Sequence, residues 1–170
     1  NEAANIEAAL LSVSWADEIV LVDSGSTDNT VALARSFGAT VVVRGWEGFS
    51  AQKNYAASLA RNDWVLSIDA DERVTTQLAR EIQTILEFEP THHGYRIPRV
   101  AHHLGRWIHS TDWHPDPQLR LYNRRFGQWT ERRVHESVAV DGPVGLLEKT
   151  IEHFPYRNIS HHLETIDLYT

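Results

Sequence analysis

The chain has 170 residues, of which 42% are hydrophobic, enough to bury one core, so we expect a single domain over residues 1–170. Its formal net charge of −7 excludes a general nucleic-acid binder, because a phosphate backbone requires a basic face. The absence of cysteine excludes disulfides, thiolate zinc sites and a cysteine nucleophile, and it suits a reducing compartment.

The first 90 residues predict alternating helices and strands. Apolar residues at helical spacing occur in four stretches, at residues 6–13, 31–37, 51–60 and 78–86. Short apolar runs between them predict buried strands at residues 18–22, 40–43 and 64–68. We expect Gly38 to end the second helix, and Ser50 and Thr75 to cap the third and fourth. This pattern is typical of an α/β sheet, which binds ligands at the carboxyl ends of its strands.

The second half of the chain contains shorter β-like segments, at residues 95–100, 118–123 and 133–140, and most of the histidine, arginine and tryptophan residues. We interpret residues 91–170 as an antiparallel extension that shapes the site for a second substrate above the sheet. Near its end, Ser160 is expected to cap a last helix.

Three carboxylates follow the predicted strands. Asp23 ends the run 18–22, and Asp69 and Asp71 follow the run 64–68. We expect all three to face one crevice, where neighbouring carboxylates stay ionised most easily beside a cation such as Mg²⁺ or Mn²⁺. A carboxylate on a metal is not free to bind a nucleobase or ribose. We therefore assign Asp23 to nucleotide recognition and Asp71 to the metal, with Asp69 between the two roles.

These residues lie in motifs that together resemble glycosyltransferase family 2, of the GT-A fold. The motifs are Asn1-Glu2, VDSGSTDNT at 22–30, QKN at 52–54, SIDADE at 67–72 and RVHE at 133–136. The chain is similar in particular to the bacterial lipopolysaccharide core β-glucosyltransferases of that family. The resemblance implies a Rossmann-like mixed sheet with helices on both faces and an antiparallel acceptor-side extension. Family members usually begin with a hydrophobic strand before the Asn-Glu turn, so we expect this chain to be a fragment that lacks the first strand.

The resemblance implies an inverting transferase that uses a nucleotide-diphosphate sugar, with a UDP-sugar such as UDP-glucose suggested. The nucleotide-sugar-binding half would be residues 1–90, and the acceptor half residues 91–170. The implied nucleotide-sugar contacts are Glu2, Asp23, Ser24, Lys53, Asp69, Ala70 and Asp71. Asp71 would ligate Mg²⁺ or Mn²⁺, with His153 as a candidate nitrogen ligand.

The implied acceptor is a glycan or a lipid-linked sugar such as the lipopolysaccharide inner core. A lipid-linked acceptor would bring a cytoplasmic protein to the cytoplasmic face of the inner membrane. Arg120 is a candidate for binding an anionic acceptor or the nucleotide phosphates, and Trp113 for stacking on a sugar ring. Inversion needs one general base and no covalent intermediate. Glu136 is our candidate, because it matches the carboxylate of the family's His-Glu pattern, and Asp112 and Asp116 are alternatives.

Simpler structural roles remain open for several of these residues. Glu136 would pair with Arg132 or Arg133 on the surface, and His153 would be a hydrogen-bonded residue beside Phe154. Lys53 and Asn54 would form only the polar face of a helix, Arg120 would be a strand-surface cation, and a tryptophan is more often a packing residue than a sugar platform. For Asp28, a helix-capping role is favoured. The histidine pairs 92–93, 102–103 and 161–162 are expected to be solvated.

Two other functional classes share part of the pattern. Phosphatases of the haloacid dehalogenase type also have a strand that ends in Asp-x-Asp, but they require Thr or Val where this chain has Arg73. A non-catalytic carbohydrate- or nucleotide-binding module would keep Asp23 and Asp71 and would need no base.

Overall fold

A computed structural model describes residues 1–110, 113–130 and 136–156, together with Ile159 and His162. Its helices are α1 (Ile6–Ser12), α2 (Thr30–Ser36), α3 (Phe49–Leu59) and α4 (Thr76–Glu87). The first strands are β1 (Val20–Asp23), β2 (Thr40–Val43), β3 (Trp64–Leu66) and β4 (Glu72–Val74). The later strands are β5 (Gly94–His103), β6 (Arg106–Ile108), β7 (Asp116–Asn123), β8 (Gly127–Thr130), β9 (Ser137–Val140), β10 (Val144–Leu146) and β11 (Ile151–His153).

The described strands form three hydrogen-bonded sheets. A parallel pair consists of β1 and β2, and an antiparallel pair of β8 and β9. The third is a mixed seven-stranded sheet of order β3-β7-β5-β11-β4, in which β6 and β10 also pair with β5. The pairs β3–β7 and β5–β7 are antiparallel. The predicted mixed α/β fold with an antiparallel extension is therefore confirmed.

Local signals mark three of the helix boundaries. The Thr75 Oγ1 atom accepts a hydrogen bond from the Leu78 amide at 3.2 Å, as predicted for the start of α4. Gly38 follows α2 with a φ of 78°, which confirms it as the stop signal. The expected cap by Ser50 is wrong. Gly48, with a φ of 100°, precedes α3, so the helix begins one residue before Ser50 and encloses it.

Helix α4 packs its apolar stripe on the mixed sheet. Leu78 and Ile82 are buried there against Ile97, Leu121 and Ile151. A second cluster joins α1 to α2 through Ile6, Leu10, Ala34 and Ala39, and Ala70 packs against it. Burying such side chains contributes roughly 1.5–3 kcal/mol each. Both clusters lie next to the segment that joins β3 to β4, and so they hold residues 67–71 in place.

Some of the segments for which a helix or strand was predicted lie outside the described residues. The helix expected after Ser160 and residues 133–135 of the predicted strand 133–140 lie outside them, whereas β9 confirms the rest of that strand. His92, His93, His102 and His103 are half-buried and pack against aromatic rings, so their expected solvation is wrong, and His161 lies outside the described residues. In the part of the chain that the structure describes, no helix has the length and apolar character needed to cross a bilayer.

Candidate functional site

The Asp-Ala-Asp-Glu segment, residues 69–72, forms the tight connection from β3 to β4. The Glu72 amide donates to the Asp69 carbonyl at 3.0 Å, and the Asp69 amide donates to Glu72 Oε2 at 2.9 Å. Glu72 is completely buried. These two reciprocal hydrogen bonds fix the turn. Within it, the side chains of Asp69 and Asp71 have different partners.

Asp69 is neutralised by two cations of the protein. Its Oδ1 lies 2.7 Å from Lys53 Nζ, and its Oδ2 lies 2.8 Å from Arg120 Nη2. Burial alone would raise the pKa of the Asp69 carboxyl, but Arg120 and Lys53 hold that pKa well below its usual range. Asp69 is therefore ionised without the help of a metal.

Asp71 has no such cationic pair among the described contacts. Its Oδ2 lies 3.3 Å from His153 Nε2, and its side chain is 28% exposed. The Asp71 carbonyl accepts the Phe154 amide at 2.8 Å, and this bond holds the end of β11 beside the turn. A carboxylate and an imidazole in contact are thus presented together at the surface of a cavity.

This pair fits a divalent cation that also binds substrate. Within the described residues, no group of three or more histidine, aspartate or glutamate side chains could hold a metal. Mg²⁺ is usually held by one or two carboxylates together with substrate phosphates and water, and Mn²⁺ accepts imidazole as well as carboxylate. Asp71 and His153 match that incomplete ligand set, in which a diphosphate would supply further oxygens.

Arg120, one of the two cationic partners of Asp69, continues into a series of ion pairs whose centre, Arg120 and Glu72, is buried. Glu72 Oε1 lies 2.8 Å from Arg120 Nη2 and 3.2 Å from Arg99 Nη1. Arg99 Nη2 lies 2.6 Å from Asp116 Oδ2. We call this series the ion-pair chain; its members in order are Lys53, Asp69, Arg120, Glu72, Arg99 and Asp116. It alternates three cations with three anions, so its charges compensate one another.

The interpretation of Arg120 as a strand-surface cation is wrong, because the residue is only 5% exposed. The places of Glu72 and Arg99 in the ion-pair chain were not predicted from the sequence either. One signal was present: Arg120 lies between Leu119 and Leu121 in a strand whose two faces are both buried, and a buried guanidinium requires carboxylate partners.

Lys53 and Asn54 join α3 to the second half of the chain. Lys53 Nζ lies 4.2 Å from the centroid of the Trp129 ring. The Asn54 side chain exchanges two hydrogen bonds of 2.8 Å with the Trp129 backbone. The interpretation of this pair as only a polar helix face is therefore wrong, and Trp129, which is 6% exposed, is a packing residue.

Two cavities flank the Asp71–His153 pair. The amino-terminal cavity, of about 240 Å³, is lined by residues 1–5, Asp28, Asp71, Phe154 and Pro155. The aromatic cavity, of about 230 Å³, is lined by Arg99, Ala101, Trp113, Asp116, His153, Pro155 and Tyr156. Asp71 borders the first and His153 the second, and Pro155 lines both. The two cavities therefore meet at this pair.

The carboxylates that share the amino-terminal cavity differ from the expected three. Glu2, Asp28 and Asp71 line it, whereas Asp23 and Asp69 do not. Asp23 is buried, and its Oδ2 accepts the amides of Gly25 and Ser26 at 2.8 Å each. Asp23 and Asp69 therefore lie outside the lining of this cavity, and β1 and β3 belong to different hydrogen-bonded sheets.

The remaining residues of the amino-terminal turns have local partners. Burial alone would raise the pKa of the Asp23 carboxyl, but hydrogen bonds from Ser26 and Gly25 leave it below its ordinary value. The Thr30 hydroxyl lowers the pKa of the Asp28 carboxyl to about 2, and the Thr30 amide donates to Asp28 at 3.0 Å, as expected of a residue at a helix start. Ser24 is exposed in the same turn.

The candidates for the general base differ in their exposure and in whether they line one of the cavities. Glu136 is exposed, directly precedes β9 and lines neither cavity, while Asp112, Arg132 and Arg133 lie outside the described residues. Asp116 lines the aromatic cavity and accepts hydrogen bonds from Arg99 and from the side-chain amide of Gln118. The assignment of Glu136 stays a prediction.

Comparisons with known proteins agree with the motifs. The profile of glycosyl transferase family 2 matches residues 1–140. An uncharacterized glycosyltransferase of Rickettsia bellii is 37% identical over 161 residues, covering 88% of this chain and 53% of its own length. The lipopolysaccharide core biosynthesis glycosyltransferase LpsC of Rhizobium meliloti is 31% identical over 151 residues, covering 85% of this chain and 56% of its own.

A crystal structure of residues 1–349 of Staphylococcus aureus TarS has the same fold, with a TM-score of 0.61 at 16% identity, over 99% of this chain and 61% of the TarS 1–349 chain. The chain spans about half the length of the curated relatives named above. Because the family profile covers 140 of its 170 residues, the chain belongs to glycosyl transferase family 2.

Proposed function

We propose that the protein containing this chain is a metal-dependent inverting glycosyltransferase that moves a hexosyl group from a UDP-sugar, such as UDP-glucose, to a hydroxyl of a glycan or lipid-linked acceptor. The observation that carries the proposal is the meeting of two cavities at the Asp71–His153 contact of 3.3 Å. Group transfer requires that donor and acceptor be held with their reacting atoms in contact. Two neighbouring cavities, one lined by carboxylates and the other by aromatic residues, suit that requirement.

The donor would lie on the side of the amino-terminal cavity. Glu2 lines this cavity, and with Asp23 and Ser24 it would bind the base or ribose. Asp71 and His153 would hold Mg²⁺ or Mn²⁺, which when bound supplies positive charge to the leaving diphosphate. Lys53 and Asp69, joined at 2.7 Å, would border the nucleotide and hold the turn that presents Ala70 and Asp71.

The acceptor would be activated by one base. In this proposal Glu136 takes the proton of the acceptor hydroxyl, the hydroxyl oxygen forms a bond to the anomeric carbon, and the bond from that carbon to the diphosphate breaks. Asp116 is the alternative base, although its carboxylate already accepts hydrogen bonds from Arg99. The division into a nucleotide-sugar half, 1–90, and an acceptor half, 91–170, belongs to the same proposal.

The printed name of one relative supports an acceptor in the cell envelope. LpsC is described as a lipopolysaccharide core biosynthesis glycosyltransferase, and this chain is 31% identical to it. We infer a sugar of the lipopolysaccharide inner core as the acceptor. A protein that acts on such a lipid-linked sugar would be cytoplasmic, with peripheral contact at the inner membrane.

A thermal-shift panel on the full-length protein tests the proposal. UDP, GDP, ADP and dTDP are each added with and without Mn²⁺, because a ligand that binds only the native state raises the apparent melting temperature. We expect UDP to stabilise the protein in a Mn²⁺-dependent way. Stabilisation by none of the nucleotides would contradict the proposal, and UDP binding without sugar transfer or donor hydrolysis would favour a non-catalytic module.

A further inference from the structure

We propose that the aromatic cavity binds an uncharged sugar ring of the acceptor, with Trp113 as its stacking platform and Asp116 as the acceptor of its hydroxyl hydrogen bonds. This inference rests on the proposed transferase function. It adds the chemical class of the acceptor group and the residues that select it.

The size of the cavity suits one ring. Its volume is about 230 Å³. Pockets for drug-sized ligands usually measure about 300–1,000 Å³, so this cavity holds a smaller group. A single monosaccharide unit, with the rest of the acceptor extending outward, matches that size.

The walls present aromatic surface to the cavity. Trp113 is 37% exposed, in contrast to Trp129, which is 6% exposed and packs in the core. Tyr156 lines the same cavity and is half-buried. The C–H face of a pyranose ring is apolar and packs well on an indole, and tyrosine and tryptophan combine apolar area with a polar group. Such walls favour a sugar ring over a purely polar ligand.

The polar groups of the cavity are fixed in place. Asp116 Oδ2 accepts two hydrogen bonds from Arg99, at 2.9 Å from Nε and 2.6 Å from Nη2. The side-chain amide of Gln118 donates a hydrogen bond to Asp116 Oδ1. A carboxylate oxygen can accept more than one hydrogen bond, and the Asp116 side chain is 28% exposed, so it can also accept a sugar hydroxyl. A carboxylate held by two side chains selects the position of that hydroxyl.

The charges argue for an uncharged ligand. Arg99 lies between Asp116 and Glu72, at the end of an ion-pair chain whose three cations and three anions compensate one another. The other titratable groups that line the cavity are His153, in contact with Asp71, and Tyr156. A phosphate in this cavity would therefore have to compete with carboxylates for Arg99. A neutral ring meets no such competition.

The position of the cavity suits an acceptor. His153 lines it, and His153 Nε2 lies 3.3 Å from Asp71 Oδ2 on the donor side. A ring stacked on Trp113 would thus lie next to the diphosphate that Asp71 is proposed to hold. One of its hydroxyls could then reach the anomeric carbon of the donor.

Saturation-transfer NMR on the full-length protein tests the inference, with methyl glucoside and glucose 6-phosphate as probes. The protein is saturated with Mg²⁺, which is diamagnetic and leaves the ligand signals sharp, and with the nucleotide that the thermal-shift panel identifies. We expect ring C–H signals from methyl glucoside, and binding weakened by about tenfold in Trp113→Ala. Trp113→Phe, which keeps an aromatic face, should weaken binding less. Trp46→Ala, at an exposed tryptophan outside both cavities, is the matched control and should bind the glucoside like the wild type.

The outcomes separate this inference from the proposed function. If the nucleotide binds but Trp113→Ala and Trp113→Phe both bind methyl glucoside like the wild type, the acceptor-ring assignment is wrong and the transferase proposal stands. If glucose 6-phosphate binds tenfold tighter than methyl glucoside, the uncharged class is wrong. If no nucleotide binds, the proposed function fails, and the inference fails with it.

Discussion

The amino-terminal cavity and the aromatic cavity share a border at Asp71 and His153 but differ in what lines them. The first has three carboxylates, from Glu2, Asp28 and Asp71. The second has two aromatic residues and an arginine whose charge is already compensated by carboxylates. Under the proposed function, cavities of similar volume would therefore take different ligands, one a cation with phosphates and the other a neutral ring.

The difference arises because neighbouring carboxylates in the sequence have different partners. Lys53 and Arg120 neutralise Asp69, whereas Asp71, two residues later, contacts His153 at the cavity border. An Asp-x-Asp motif therefore does not supply two equivalent metal ligands here. One carboxylate belongs to the framework and the other is available to substrate.

Glu136→Gln gives the largest expected effect, because it removes the proposed base from the acceptor side. We expect turnover to fall by about 10² to 10⁴, the usual contribution of a general base, while the nucleotide Kd stays the same. Steady-state transfer assays and calorimetry measure the two quantities. Glu87→Gln, at the exposed end of α4, is the control. Transfer near the wild-type rate would move the base to Asp116 or Asp112.

Glu72→Gln tests how much the ion-pair chain contributes to the stability of the fold. The substitution leaves Arg120 and Arg99 without their shared buried carboxylate, and breaking a buried pair costs about 3–5 kcal/mol of unfolding free energy. Urea unfolding measures this loss. Glu148→Gln is the matched control at an exposed glutamate and should stay within about 0.5 kcal/mol of the wild type. Equal stability of the two variants would show that the chain contributes little.

The Asp69 carboxyl predicts a specific acid sensitivity. Its pKa in the folded protein lies below the ordinary value of 3.8, so the unfolded state binds the proton more tightly. The stabilisation is fully present above that value and is lost as the pH falls below it. Urea unfolding from pH 6 to pH 3 should therefore show a flatter pH dependence for Asp69→Asn than for the wild type. Asp28, whose pKa is about 2, accounts for part of the slope that remains. Parallel curves for the two proteins would contradict the neutralisation of Asp69 by Lys53 and Arg120.

Lys53→Met should give the smallest effect, at the outer end of the ion-pair chain. The methionine keeps the apolar stem against Trp129 but loses the charge near that ring and beside Asp69. We expect a loss of about 1 kcal/mol, because the Asp69 side chain is 39% exposed and solvent screens the pair. Urea unfolding would reveal it, with Lys149→Met, at an exposed lysine, as the control. A loss as large as that of Glu72→Gln would show that the outer pair is as important as the buried one.

The sequence predicted those features that depend on nearby residues. Thr75 and Gly38 mark helix ends through contacts within a few residues, and both predictions are confirmed. The failure at Ser50 is also local, since Gly48 was available as a start signal and was overlooked. The apolar stripe of α4 gave the correct buried face because its period is that of a helix.

The features that could not be predicted depend on distant residues. Arg120 and Glu72 are 48 positions apart, so nothing local shows that they pair. The lining of the amino-terminal cavity combines residues 1–5 with Phe154, which only the tertiary fold brings together. Asp23 lies outside the lining of that cavity, which the order of the strands along the chain does not reveal.

The most direct test of the account is a calorimetric titration of UDP into the full-length protein with and without Mn²⁺, for the wild type, Asp71→Asn and Asp63→Asn. Asp63, whose carboxylate pairs with Arg125 at the surface, is the control. We predict that Mn²⁺ tightens UDP binding by about tenfold or more in the wild type and in Asp63→Asn, and that this gain is lost in Asp71→Asn. The same Mn²⁺ dependence in Asp71→Asn would contradict the assignment of Asp71 as the residue that joins metal, diphosphate and acceptor.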